Sequence, residues 1–275
     1  MTARSKLYFL CVGAPKCGTT WLNDFLNAHS EIYTPGTIKE VHYFDRYYSR
    51  GEGWYHSLFE EALPGQKKGE ITPHYLYLED CTRIYKYNPD IRLILIFRDP
   101  VKRCVSHYKY RQRLDNYKGT FTEFLRDYPV ALEWGRYGKH LSRFLEVFSP
   151  TQVLILNYEK VTKDTDFLKS KISSFLDVDP AGFPKNAGKE KVNGHIELKY
   201  PTVYRLSVRL SRIMVNLNLY KLRAFLKSKF VSKLKQQSQD RVVKKHVATE
   251  QELLELVEYF SEDQALLKTI MFSHY

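Results

Sequence analysis

Short apolar runs recur along the first half of the chain. Residues 7–12 and Arg92–Phe97 are almost continuously apolar, which is typical of strands buried on both faces of a sheet. Residues 70–72, which precede a proline, and residues 153–156 predict two shorter strands. These four runs are too short for buried helices, so the pattern predicts a sheet whose central strands are fully covered.

Segments with apolar residues at helical spacing lie between these runs. Helices are predicted over residues 20–27, from Pro100 to about Arg113, and over residues 167–176. Pro100 suits the first turn of a helix because that position needs no backbone N–H donor. Alternating strands and helices predict an α/β fold over residues 1–180, with a central parallel sheet flanked by helices.

The second half of the chain has a different pattern. Apolar residues at helical spacing run through residues 202–236, with Lys and Arg between them. Residues 249–259 predict a further helix, because Thr249 and Glu252 have the spacing of a capping box. We therefore expect a helical C-terminal part over residues 195–275.

Positive charge is concentrated in this C-terminal part. The chain of 275 residues has a formal net charge of +12, and residues 195–245 hold 13 Lys and Arg against two acidic residues. The charge implies an anionic partner, such as a phosphorylated cofactor, an anionic glycan, a membrane surface or nucleic acid. Nucleic acid is the least favoured, because no aromatic stacking string or DNA-reading motif accompanies the charge.

The chain shows no sign of export. Its four cysteines have neither metal-ligand nor disulfide-scaffold spacing, which favours reduced thiols and a cytoplasmic protein. Residues 7–12 lead into a glycine-rich turn rather than a cleavage site, and no apolar run approaches the roughly 18 residues of a membrane span. The basic residues 202–235 are expected either to pack on the sheet with a solvated charged face or to bind an anionic polysaccharide or a lipid-linked acceptor. In the membrane case they would form an interfacial helix rather than a span.

A turn rich in glycine follows the first predicted strand. Between Gly13 and Gly18 the backbone can direct several N–H groups at one point, and the following helix adds the positive end of its dipole. Lys16 supplies a cation, and Thr19 and Thr20 supply hydroxyl donors. The turn is therefore a candidate phosphate or sulfate cradle.

A nucleoside-triphosphate P-loop is the main alternative to this interpretation. Gly13 and Gly18 have the glycine spacing of that motif, but Thr19 stands where it requires lysine. A kinase also needs acidic residues to hold magnesium, and the strand Arg92–Phe97 is followed by Arg98 instead. A kinase with a variant P-loop stays an alternative, as does an ordinary strand-to-helix turn.

Arg98 marks a second candidate anion site. It follows a central strand, at the sheet edge where open α/β sheets bind ligands. Ser106 lies about two helical turns further on and could add a hydroxyl to the same anion. Two anion sites suit a nucleotide phosphorylated at both ends, although Arg98 could instead be a structural ion-pair partner of Asp99 or another acid.

The segment between these sites offers candidate bases. An acceptor hydroxyl is a poor nucleophile until a base removes its proton, and Glu40, His42 and Asp45 are the groups available. Their spacing alone does not rank them.

The glycine-rich turn, called the phosphate loop below, resembles the loop of sulfotransferases that use 3′-phosphoadenosine 5′-phosphosulfate (PAPS). The residues that carry the resemblance are Pro15, Lys16, Cys17, Gly18, Thr19, Thr20 and Trp21. The resemblance implies one sulfotransferase domain over residues 1–275 with a P-loop-like fold, in which this loop binds the 5′-phosphate and the sulfuryl group. It also implies that Arg98 and Ser106 hold the 3′-phosphate and that no metal is needed. Lys189 and Lys191 are candidates for a basic loop that closes the nucleotide site.

The segment with these candidate bases, residues 39–46, is called the acceptor segment below. It is similar to the Lys-Glu-x-x-Phe-Phe-Asp string of heparan-sulfate-type sulfotransferases. The resemblance implies that Glu40 is the base, with His42 and Asp45 supporting it or touching the acceptor. His42 is the second candidate base, because the small-molecule branch of the family uses histidine. The stretch around His74, a further candidate acceptor contact, departs from the glycan enzymes: Ile71 stands where they have a functional lysine.

The predicted activity is sulfuryl transfer from PAPS to a hydroxyl or amine. A glycan or glycolipid is the expected acceptor, and a small molecule is the alternative.

Overall fold

The computed structural model describes residues 6–36, 38–188, 201–217, 219, 222, 226 and 246–274. The chain divides into two compact units. The first unit comprises Met1–Pro100, Trp134–Val192 and Tyr259–Tyr275, and the second comprises Val101–Glu133 and Asn193–Glu258.

A five-stranded parallel sheet forms the centre of the first unit. Its strands are β1 (Phe9–Gly13), β2 (Ile32–Tyr33), β3 (Lys67–Ile71), β4 (Arg92–Phe97) and β5 (Val153–Asn157). The spatial order is β2-β3-β1-β4-β5, and each neighbouring pair is parallel. The sheet and its flanking helices confirm the predicted fold class.

The central strands are as buried as their sequences predict. Every residue of β1 is buried, and in β4 only Arg92 is partly exposed. The run predicted at residues 7–12 becomes a strand that begins at Phe9 and ends at Gly13. The edge strand β2 was not predicted, because two residues are too few to show a periodic pattern.

Helices connect the strands of the first unit. They are α1 (Thr19–Asn27), α2 (Gly51–Ser57), α3 (Thr82–Tyr87), α7 (Tyr137–Leu145), α8 (Tyr158–Val161) and α9 (Thr165–Leu176). Short 3₁₀ helices occupy Tyr48–Arg50, Pro73–Tyr77, Pro150–Gln152 and Pro180–Gly182. Helix α1 packs Trp21, Leu22, Phe25 and Leu26 into the core, as its amphipathic pattern predicts.

Helices make up the described part of the second unit. Helix α4 (Pro100–Leu114) enters it, followed by α5 (Phe121–Asp127), α6 (Val130–Glu133) and α10 (Pro201–Asn216). Its core holds Tyr108, Phe121 and Phe124, with ring centroids 5.2 to 6.0 Å apart. The guanidinium of the buried Arg103 donates to the carbonyl of Ala131.

The last helix, α11 (Glu250–His274), is longer than the predicted 249–259. Its N-terminus has the predicted capping box, in which Thr249 Oγ1 accepts from the Glu252 N–H at 3.2 Å and Glu252 Oε2 accepts from the Thr249 N–H at 2.8 Å. Further along, the Asp263 carboxylate accepts from the N–H groups of Gly138 and Lys139, both at 2.9 Å. No helix in the described ranges combines the length and apolarity that crossing a membrane requires.

The strand order positions the candidate site. From β1 the chain goes outward to β2 on one side, and β4 and β5 then extend the sheet on the other side. Ligands of open α/β sheets bind beyond the carboxyl ends of the strands at such a reversal. Here those ends are followed by Ala14 after β1, Thr72 after β3, Arg98 after β4 and Tyr158 after β5.

Candidate active site

The loop between β1 and α1 has the backbone of an anion cradle. Lys16 and Gly18 both have left-handed conformations, with φ of 68° and 86°. The Ala14 N–H donates to the Ile96 carbonyl at 3.0 Å, which fixes the loop against β4. Left-handed residues within such a turn point their N–H groups inward, and Gly18 lies directly before the N-terminus of α1. The loop can therefore receive a phosphate or sulfate group.

Gly18 also allows a close contact with Tyr158. A Cβ built on Gly18 would lie 2.4 Å from Cε2 of the Tyr158 ring, far inside van der Waals contact. The same ring lies beneath the Arg98 guanidinium, 4.9 Å from its centroid. Tyr158 thus packs between the loop after β1 and the arginine after β4. No local sequence pattern indicated this role of Tyr158, because it depends on β4 and β5 being neighbours.

The side chains of the loop differ in what they offer a ligand. Cys17 is buried, with Sγ 3.4 Å from the Tyr137 hydroxyl, so its thiol belongs to the core. Trp21 donates from Nε1 to the Gly188 carbonyl at 2.9 Å, and Thr19 is buried. Pro15 is buried and Lys16 is half-buried. The loop therefore presents its backbone, Lys16 and Thr20 rather than its thiol.

Lys39 connects this loop to the acceptor segment. Its Nζ donates to Thr20 Oγ1 at 2.5 Å and lies 3.7 Å from Glu40 Oε1. One cation thus contacts both the phosphate loop and the candidate base. Sequence reasoning did not select Lys39 as a site residue, although its place directly before Glu40 was the available signal.

Glu40, His42, Asp45 and His74 form one polar cluster. His42 Nε2 lies 3.5 Å from Glu40 Oε2, and its Nδ1 lies 2.8 Å from Asp45 Oδ2. His74 Nδ1 lies 3.8 Å from the same Glu40 oxygen, and the two imidazole rings are 5.4 Å apart. The structure thus brings together all four residues predicted for the base and the acceptor contacts.

The pKa values of this cluster reflect its pairing. Burial alone would raise the pKa of Glu40, but a hydrogen bond with His42 and the positive charges of Lys39 and His74 lower it to about 2. Burial lowers the pKa of His42, but hydrogen bonds with Asp45 and Glu40 outweigh burial and raise it above its ordinary value. The pKa of His74 is lowered, chiefly by burial. Glu40 is therefore a carboxylate at neutral pH.

Glu70 anchors the acceptor segment to the end of β3. Its buried carboxylate accepts hydrogen bonds from the hydroxyls of Tyr55 at 2.6 Å, Thr72 at 2.7 Å and Tyr75 at 3.0 Å. It also accepts from the backbone N–H of Val41 at 3.3 Å, directly after Glu40. Burial raises the pKa of Glu70 despite these bonds. The network fixes the backbone on which the candidate base stands.

Arg98, which directly follows β4, is half-buried. Its Nε lies 3.7 Å from Glu159 Oε1, and neither of these buried atoms has a hydrogen-bond partner among the described residues. Its ion-pair partner is thus Glu159. Ser106 lies on α4 in the second unit. Lys189 and Lys191 lie outside the described residues, which reach Gly188 at this point of the chain.

A family model described as a sulfotransferase domain matches residues 8–200, which is more than half of the chain. The chain belongs to the sulfotransferase family. This membership confirms the resemblance found in the phosphate loop and the acceptor segment. It favours sulfuryl transfer over a kinase reaction.

Several known sulfotransferases are similar to this chain. Heparan sulfate glucosamine 3-O-sulfotransferase 6 of Homo sapiens is 34% identical over 180 residues, which cover 61% of this chain and 51% of that protein. Membrane-associated sulfotransferase kil1 of Dictyostelium discoideum is 38% identical over 106 residues, or 37% of this chain and 22% of that protein. This sulfotransferase chain spans about half the length of the heparan sulfate relatives it matches.

The fold also has a solved counterpart. The crystal structure of a sulfotransferase from Alicyclobacillus acidocaldarius covers 80% of this chain and 96% of its own, with a TM-score of 0.60 and 24% sequence identity. The similarity supports the same sheet architecture for both proteins.

Proposed function

We propose that this chain transfers a sulfuryl group from PAPS to a hydroxyl or amine, with Glu40 as the base. The observation that carries the proposal is the position of Lys39. Its Nζ contacts Thr20 Oγ1 of the phosphate loop at 2.5 Å and lies 3.7 Å from Glu40. A base held this close to an anion cradle can remove the proton of an acceptor whose oxygen faces the bound sulfuryl group.

In the proposed reaction the acceptor oxygen or nitrogen attacks sulfur, and the bond from sulfur to the bridging phosphate oxygen breaks. The electron pair of that bond stays on the 5′-phosphate of the product, 3′-phosphoadenosine 5′-phosphate. Lys16 and the N–H groups near Gly18 stabilise the negative charge that builds there. Glu40 takes the acceptor proton. Because fixed cations hold the leaving group, the proposed transfer needs no metal.

The second phosphate of PAPS is assigned to Arg98 and Ser106. The Arg98 side chain is 26% exposed, and a guanidinium offers a phosphate several charged N–H donors. Tyr158 packs against both Gly18 and Arg98, so the two proposed anion sites share one wall. Lys189 and Lys191 are proposed to close the nucleotide site.

For the acceptor we propose a glycan hydroxyl, on the strength of the heparan sulfate relatives. Ile71 is buried, so it offers the acceptor neither charge nor contact. His74 and His42 flank Glu40 instead, and both are proposed to touch the acceptor together with Asp45. A small-molecule acceptor is the alternative, and it would favour His42 as the base.

Peripheral contact with an anionic membrane or polysaccharide is proposed for residues 202–235. Leu206, Leu210 and Ile213 on α10, and Leu217 just beyond it, lie on one helical face and are 46 to 62% exposed. Val215, on the opposite face, is buried. An outward apolar stripe in a strongly basic segment suits an interface with anionic headgroups. The relative kil1 is named as membrane-associated.

The deciding experiment is calorimetric binding of 3′-phosphoadenosine 5′-phosphate without magnesium, beside ATP with magnesium. We expect selective, magnesium-free binding that is lost in Arg98→Ala and kept in Glu40→Gln. Transfer from PAPS to a glycan should fall by about 10²- to 10⁴-fold in Glu40→Gln, the range that general-base catalysis contributes. Binding of ATP alone, or full transfer activity in a Lys16→Ala, Glu40→Gln double variant, would refute the proposal.

A further inference from the structure

Three side chains of the first unit present potential metal ligands to one point. One donor atom from each of Glu40, His42 and His74 lies within 4.8 Å of the other two. His42 Nε2 and His74 Nδ1 lie 3.5 and 3.8 Å from Glu40 Oε2. Two imidazole nitrogens and one carboxylate oxygen are the ligand set of many three-ligand zinc sites.

The two imidazole rings are held in orientations that suit a metal. Asp45 Oδ2 lies 2.8 Å from His42 Nδ1, so the other ring nitrogen is directed at Glu40. A carboxylate behind a histidine is the usual support of a metal-bound imidazole. The ring of His74 packs edge-on against Trp134, with centroids 5.1 Å apart. Its buried Nδ1 has no hydrogen-bond partner in the part of the chain that the structure describes.

The spacing is close to what a zinc ion requires. Zinc–ligand distances of about 2.0 to 2.2 Å in a tetrahedron place ligand atoms roughly 3.3 to 3.6 Å apart. The two distances to Glu40 are within or just above that range. All three donor atoms lie within 4.8 Å of one another, so side-chain rotation would bring them to one metal ion. Three protein ligands leave a fourth position open. Nitrogen ligands select zinc-like ions over magnesium or calcium.

We propose that Glu40, His42 and His74 form a binding site for Zn²⁺ or a similar divalent transition metal, and that the bound metal inhibits sulfuryl transfer. The inhibitory part rests on the proposed function, in which Glu40 is the base. A carboxylate oxygen bound to the metal cannot accept the acceptor proton. The metal also blocks the space that the acceptor must enter. Metal binding and catalysis are therefore mutually exclusive at this cluster.

The binding part is tested by calorimetric titration of the metal-stripped full chain with ZnCl₂, with MgCl₂ in parallel. We expect one zinc site, no response to magnesium, and at least tenfold weaker zinc binding in His74→Ala and in His74→Gln. The second variant keeps a polar side chain and guards against a packing defect. His246→Ala removes an exposed histidine of the second unit and should bind zinc as the unchanged chain does. Equal zinc affinity in all variants would overturn the site.

The inhibitory part is tested by following sulfuryl transfer during the zinc titration. Activity should fall over the concentration range of the calorimetric site and return on addition of a chelator. The residual activity of His74→Gln should be insensitive to zinc over that range. If zinc binds without lowering the rate of sulfuryl transfer, metal binding and catalysis are not mutually exclusive, and the inhibitory part is wrong. If no transfer from PAPS is found with any acceptor, the proposed function fails, while the calorimetric result still decides the site.

Discussion

At the residue scale, the chemistry depends on how the Glu40 cluster shares its protons. Glu40 has a pKa of about 2, so it is ionised throughout the neutral range. A group with so low a pKa is a weak base while a protonated His42 donates to it. Loss of that proton restores the basicity of Glu40. Under the proposed function, His42 therefore also acts through Glu40, and its charge controls the strength of the proposed base.

We therefore predict a pH profile that depends on His42. In the unchanged chain, kcat/KM should rise as the pH rises through the pKa of His42, which lies above the ordinary value of about 6.5. In His42→Gln the rise through that pKa should be absent, at reduced but measurable activity, because the group that titrates there has been removed. If the variant is as inactive as Glu40→Gln, His42 is the base instead.

At the element scale, the phosphate loop depends on a glycine that meets two demands at once. Gly18 has a positive φ of 86°, and Tyr158 occupies the space where a Cβ would lie. Gly65 has the same φ, but nothing lies within 4 Å of its Cβ position. Substituting alanine at Gly65 strains only the backbone, whereas alanine at Gly18 also displaces Tyr158. Comparing the two substitutions therefore separates these two effects.

We predict that Gly18→Ala weakens binding of 3′-phosphoadenosine 5′-phosphate by about tenfold or more, because Tyr158 must leave both the loop and Arg98. Gly65→Ala should reduce the free energy of unfolding by about 1 kcal/mol and leave binding unchanged. Calorimetry and urea unfolding measure the two quantities. Equal binding by Gly18→Ala and the unchanged chain would show that the loop does not hold the nucleotide.

The join between β3 and the acceptor segment gives a second prediction at this scale. The Tyr75 hydroxyl accepts from the Tyr43 N–H at 2.6 Å and donates to Glu70 at 3.0 Å, both in the core. Tyr75→Phe should lower the free energy of unfolding by about 1–3 kcal/mol, since it leaves a buried N–H without a partner. Tyr85→Phe alters an exposed tyrosine and should change stability little. If urea unfolding shows that both variants lose the same free energy of unfolding, Tyr75 does not anchor the acceptor segment.

At the scale of the whole molecule, charge and apolar exposure coincide in the C-terminal half. Residues 195–245 carry nearly all of the net positive charge, and α10 exposes an apolar stripe within that segment. Exposed apolar patches beside basic residues mark surfaces that meet a partner. An interfacial helix adds apolar insertion to electrostatic attraction.

We predict that the chain co-sediments with vesicles that contain anionic lipid and does so less at high salt. A triple variant, Leu206→Ser, Leu210→Ser and Ile213→Ser, should bind such vesicles about tenfold more weakly, because the apolar contribution is removed. Leu63→Ser alters a leucine of the first unit that is 67% exposed and should have no effect. Retention on heparin with no vesicle binding would identify a polysaccharide surface instead.

Local sequence patterns were sufficient to predict the central strands, and they located the candidate phosphate loop and the candidate base. Residues 7–12 and Arg92–Phe97 were apolar enough to require burial, and the loop's function depends on contiguous residues between one strand and one helix. The capping box of Thr249 and Glu252 also involves only nearby residues, and the structure confirms it. Such features need only neighbouring residues, so sequence patterns contain them.

The contacts between distant segments depend on the tertiary structure. Lys39 reaches Thr20, His74 lies beside Glu40, and Tyr158 packs between Gly18 and Arg98. Each contact joins residues that follow different strands, so it depends on the strand order rather than on any local pattern. The contact between Glu40 and His74 arises in the same way, because β2 and β3 are parallel neighbours in the sheet and the two residues follow their carboxyl ends.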